Sequence, residues 1–168
     1  SKIRDTAYSH DRIFVIEVMG RASGLIALNT AIATGADYVL IPEREVDIVG
    51  IANNIKENRK DKRHTLLIVA EGAAKAGEVA SSIKLLVGRE VRVSVLGHIQ
   101  RGGSPSAMDR ILAAEFGRKA VELIIEGKSD CMVGMRAMKL ITQEFGDIFE
   151  NKKEIDPRLY ELVELLSS

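Results

Sequence analysis

Short apolar runs alternate along this chain with longer stretches whose apolar positions recur every three or four residues. Residues 13–19 (Ile-Phe-Val-Ile-Glu-Val-Met) read as a buried strand, short, β-branched and ended by Gly20. Ser23 and Gly24 open a helix through Leu25, Leu28 and Ile32 to Gly35. Residues 38–41 form a second strand stopped by Pro42, and residues 47–60 repeat Ile48, Ile51, Ala52 and Ile55 at helical spacing. A third strand covers residues 64–69, a helix residues 78–87 and a fourth strand residues 91–96. Ser106 to Asp109 resembles a capping box, opening a helix with Ile111, Leu112, Phe116, Ala120, Leu123 and Ile124 on one face. Residues 131–135 form a short fifth strand. Residues 140–168 predict one or two terminal helices, with Pro157 at a first helical position.

Strands separated by helices of this length predict repeated βαβ units. The expected fold class is a single three-layer α/β/α domain over residues 1–168, built on a mostly parallel sheet. Ligands of such sheets bind beyond the carboxyl ends of the strands, so the residues just past each strand carry the candidate chemistry. They are Met19-Gly20-Arg21 after the first strand, Glu71 after the third, and Gly97-His98-Ile99-Gln100-Arg101-Gly102-Gly103-Ser104-Pro105 after the fourth. Arginines bind phosphate oxygens bidentately, and a carboxylate accepts hydrogen bonds from sugar hydroxyls. The set fits a sugar phosphate. Taken singly, each residue has a plainer reading as a solvated loop glutamate, an exposed histidine or a chain-turning glycine. Their coincidence at one sheet edge favours a site.

Composition narrows the partners. Lys plus Arg equals Asp plus Glu at 24 each, so no global field attracts nucleic acid or a membrane surface. Cys131 is alone, which points to a reducing, cytoplasmic setting. No apolar run is long enough to span a bilayer. The chain opens on Ser1 in mid-pattern, as a piece of a longer protein would.

The same residues resemble bacterial 6-phosphofructokinase. The likeness rests on Val18-Met19-Gly20-Arg21, Val69-Ala70-Glu71-Gly72 and the run from Val95 to Pro105. It extends to Arg4-Asp5-Thr6-Ala7, Asp109-Arg110-Ile111-Leu112-Ala113 and Ile155-Asp156-Pro157-Arg158-Leu159-Tyr160. The resemblance implies a cytoplasmic, allosteric homotetramer that phosphorylates fructose 6-phosphate to fructose 1,6-bisphosphate in glycolysis, using ATP with Mg2+. It implies that Met19, Gly20, Arg21, Glu71, His98, Ile99, Gln100 and Arg101 line the substrate, with Arg21 near the transferring phosphoryl group. Arg12 and Arg92 would cross a subunit interface to the neighbour's phosphate pocket. Arg4, Gly35, Ala36, Asp37, Lys60, Lys62, Arg63 and His64 would form an effector site for ADP or phosphoenolpyruvate, with Asp37 toward an effector-bound metal.

Three departures stand out: Asp37 where glutamate is usual, Asp61 where glycine is usual, and Ala22-Ser23 after the Met-Gly-Arg motif. The sequence carries neither G-x-G-x-x-G nor G-x-x-x-x-G-K-[ST]. The resemblance places the nucleotide loops and the catalytic aspartate in an N-terminal half that precedes these residues. The expectation is the substrate-binding half of the enzyme, inactive alone. A stand-alone sugar-phosphate sensor is the second reading.

Overall fold

A computed structural model describes residues 12–57, 64–150 and 155–167. The chain divides into two compact units, one comprising residues 1–101 and 155–168, the other residues 102–154.

The first unit is built on a four-stranded parallel sheet of β1 (Ile13–Val18), β2 (Tyr38–Leu40), β3 (Thr65–Ala70) and β4 (Val91–Val95), in the order β2-β3-β1-β4. Every residue of β1 and β3 is buried, because both faces of the sheet are covered. Side chains alternate between those faces. Phe14, Ile16, Val18, Leu66 and Ile68 pack with Ala27, Leu28 and Ala31 of α1 (Leu25–Thr34) and Val163 of α6 (Pro157–Ser167). Ile13, Val15, Leu67 and Val69 pack with Ile55 of α2 (Ile48–Glu57) and with Val79, Ala80 and Ile83 of α3 (Ala76–Val87). The three-layer α/β/α expectation holds for this unit.

Glycine ends α1 and α3 in the left-handed region, at Gly35 (φ 61°) and Gly88 (φ 73°). Glu17 is the charged residue inside β1. Its Oε2 accepts from the Ala76 amide at 2.8 Å, holding the start of α3, and Lys75 Nζ lies 3.8 Å from Oε1.

The second unit corrects two expectations. It contains α4 (Ala107–Ile125), β5 (Cys131–Arg136), β6 (Lys139–Glu144) and α5 (Phe145–Glu150). The fifth strand pairs antiparallel with β6 and lies outside the parallel sheet. Residues 139–144, expected mainly as helix, are therefore strand. The hairpin turn conceals this, because Ala137 (φ 48°) and Met138 (φ 63°) occupy positions where glycine or asparagine is the usual signal. Met138→Gly should stabilise the hairpin by about 1 kcal/mol by removing left-handed strain, measured as a raised denaturation midpoint.

The capping box at the start of α4 is present. The Ser106 hydroxyl accepts from the Asp109 amide, and the Asp109 carboxylate accepts from the Ser106 amide at 2.8 Å. The Ser106 hydroxyl, which also donates to Asp109 Oδ2 at 2.8 Å, and secondarily the Ser106 amide hold the Asp109 carboxyl below its usual range. The apolar face of α4 is not buried as its periodicity suggests. Of its residues only Leu123 is fully covered, while Ile111 is 57% and Ile124 73% exposed. Among the described residues of its own unit, the helix has just a two-stranded ribbon and a six-residue helix to pack on.

Candidate functional site

The carboxyl ends of β1, β3 and β4 lie level, because the register pairs Val18 with Ala70 and Glu17 with Val95. The segments leaving them are joined by hydrogen bonds. Met19 N–H donates to Gln100 Oε1 at 2.7 Å, and Gly20 N–H to Glu71 Oε1 at 3.3 Å. The Glu71 amide donates to the Val18 carbonyl at 3.0 Å, and the Gly72 amide to the Gly20 carbonyl at 3.1 Å. After β4, residues 97–100 form a single 3-10 turn that places His98 and Arg101 beside the same rim.

Two glycines permit this closeness. Gly20 has φ +143°, and a Cβ there would meet the Ser23 carbonyl oxygen at 2.6 Å. A Cβ on Gly72 would lie 1.9 Å from the Arg21 carbonyl oxygen.

The chemistry presented at the rim is cationic. Arg21, His98 and Arg101 are exposed, and among the described residues none of their side chains has a hydrogen bond or ion pair. By contrast, Arg12, Arg92, Arg118 and Arg158 are each paired with a carboxylate. Glu71 is half-buried. It commits Oε1 to Gly20, while Oε2 has no partner among the described residues. Ile99 projects outward at 82% exposure. Two guanidinium groups, an imidazole and one uncommitted carboxylate oxygen can together hold a phosphate and a neighbouring hydroxyl.

Residues 1–124 match the family model described as "Phosphofructokinase". The chain belongs to the phosphofructokinase family. It is 48% identical over 167 residues to the ATP-dependent 6-phosphofructokinase of Natranaerobius thermophilus, covering 99% of this chain and 52% of that protein. The corresponding enzyme of Lysinibacillus sphaericus is 49% identical over the same length and shares. A solved phosphofructokinase structure from Saccharomyces cerevisiae superposes with a TM-score of 0.79 at 34% identity, covering 89% of this chain and 22% of that one. This phosphofructokinase chain spans about half the length of the curated relatives it matches.

The other site residues expected of a phosphofructokinase lie elsewhere. Arg12 and Arg92 stand at the amino ends of β1 and β4, the opposite sheet edge from the rim. Glu90 bridges them, with Arg12 Nε 3.0 Å from Oε2 and Arg92 Nη2 2.7 Å from Oε1. Gly35 caps α1 and Ala36 is buried. Asp37 ties β2 to β3, its Oδ2 accepting from the Leu66 amide at 2.8 Å. Burial, and secondarily the Asp37 charge, pushes the Tyr38 hydroxyl up. His64 is half-buried just before β3. Arg4, Lys60, Lys62 and Arg63 fall outside the described residues. Among the described residues no cluster of three or more His, Cys, Asp or Glu could hold a metal, so Mg2+ is assigned no ligand.

Two residues of the site region escape sequence reasoning. Glu17 carried a signal, since a carboxylate in an otherwise apolar buried strand requires a partner. Glu43 carried none. Its two oxygens each lie 3.0 Å from the Gly24 amide, nineteen residues back along the chain.

Proposed function

We propose that this chain is the sugar-phosphate half of a cytoplasmic 6-phosphofructokinase, which transfers the γ-phosphoryl group of ATP, with Mg2+, to O1 of fructose 6-phosphate. The observation that carries the reading is the rim, where three strand ends present unpaired Arg21, His98 and Arg101 beside the half-committed Glu71. The names of the relatives supply the reaction and the donor.

In this reading His98 and Arg101 hold the sugar phosphate, and Glu71 Oε2 accepts from a hydroxyl. Met19, Gly20, Ile99 and Gln100 shape the pocket. Arg21 contacts the bound sugar phosphate and offsets negative charge that grows on the transferring group. Arg12 and Arg92 serve the pocket of a second copy in a homotetramer, with Glu90 as their counter-ion until phosphate arrives. Gly35, Ala36, Asp37 and His64, with Arg4, Lys60, Lys62 and Arg63, form the effector site for ADP or phosphoenolpyruvate.

Calorimetry on this chain tests the substrate assignment. Fructose 6-phosphate should bind weakly, and fructose not at all. Arg21→Ala and Arg101→Ala should each weaken binding about tenfold or more, the loss of a charge-assisted contact. Arg89→Ala, before β4 at the opposite sheet edge, should leave binding unchanged. Equal losses for Arg89 and Arg101, or no preference for fructose 6-phosphate over fructose, would refute the site.

A further inference from the structure

We propose that Glu43 is a positioning residue for Arg21, acting through the backbone of residues 20–24. Arg21 sits on a short exposed segment between two fixed amides. At one end the Gly20 amide is held by Glu71. At the other, both carboxylate oxygens of Glu43 accept from the Gly24 amide at 3.0 Å. Gly24 is buried and lies flat against the exit of β2, since a Cβ on it would fall 2.3 Å from Ile41 Cβ. It is also the N-cap of α1 and brings no side chain to cap the helix. Glu43 therefore supplies the negative group that a helix start favours, from a distant part of the chain.

The anchor is itself fixed. The Arg44 amide donates to the Ile41 carbonyl at 3.2 Å, closing a turn directly after β2. The Arg44 guanidinium lies 3.8 Å from the centroid of the Tyr160 ring on α6. That helix is held in the core by Val163. A continuous series of contacts thus runs from the core through α6, Arg44 and Glu43 to Gly24 and the backbone of Arg21. Without Glu43, a buried amide loses its acceptor, and the far end of the segment is held only by the Leu28 amide on the Gly24 carbonyl at 2.9 Å and by the packing of Gly24 on Ile41.

The test uses the 168-residue chain and two variants, Glu43→Ala and Glu43→Gln. Amide hydrogen exchange at Gly24 should accelerate about tenfold in Glu43→Ala and less in Glu43→Gln, which keeps one carbonyl oxygen. Backbone order parameters should fall at residues 21–23 and hold at Gly20 and through β1. A merely structural role would move all of these together. If Glu43→Ala does not fold, Glu43→Gln supports the same comparison.

A second measurement rests on the proposed function. Fructose 6-phosphate affinity should fall about tenfold in Glu43→Ala, yet fall no further when Glu43→Ala is added to Arg21→Ala. Unchanged exchange and order at residues 21–24, or additive affinity losses, would overturn the proposal. If the native chain ignores fructose 6-phosphate while the amides respond as stated, the substrate reading fails and the positioning role stands.

Discussion

Replacing Gly72 with alanine is expected to remove the proposed fructose 6-phosphate binding and to lower stability by about 3 kcal/mol, the upper part of the range for overpacking. The added methyl would sit 1.9 Å from the Arg21 carbonyl oxygen, and the carbon of that carbonyl is only 2.6 Å away. Those are backbone atoms and cannot rotate aside as a side chain can. Either the residue 20–24 segment is driven off β3, or the Gly72 amide loses its 3.1 Å bond to the Gly20 carbonyl. Each outcome displaces the backbone of Arg21 from its place beside Gly72. Denaturant titration and calorimetry read the two effects separately. Gly77→Ala is the matched control, because a Cβ there meets nothing within 4 Å and alanine favours the helix. A Gly72→Ala variant with native midpoint and affinity would show that the close approach does not exist.

Leu67→Ala should cost about 3 to 4 kcal/mol, a large part of the stability of an ordinary domain. Leu67 is wholly buried in β3, beside Val15 of β1 and Tyr38 of β2 in the register. It shares a core cluster with Ile83 and Val79 from α3 and Ile55 from α2. Atoms from four elements would have to shift to refill the space, so little of the cavity can close. Leu85→Ala, at a position 85% exposed, should change the urea midpoint hardly at all. A loss below about 1 kcal/mol for Leu67 would mean that this layer is loosely packed.

The sequence made the parallel sheet legible because β1 and β3 are apolar on both faces, a pattern that only a sheet covered twice requires. Gly20 and Gly35 marked element ends for a local reason, their positive φ. The rim followed from topology, since parallel strands bring their exits to one edge whatever the intervening lengths. What stayed hidden depends on contacts between distant residues. Glu43 reaches Gly24, and Glu90 collects Arg12 and Arg92, through placements that no local pattern encodes. The β6 strand was missed for the opposite reason, because its turn is made by alanine and methionine against local preference. The helical period of α4 was correctly read, but periodicity alone could not say how much of that face its own unit would cover.

The central place of β1 bears on how the chain emerges from the ribosome. Its two neighbours are β3 and β4, so the first pairing partner is made about 50 residues later and the second about 80 residues later. At about 5–20 residues per second, the Ile-Phe-Val-Ile segment spends seconds without either flank. Holdase chaperones that shield nascent apolar strands should therefore raise the yield of this protein most when translation is slow.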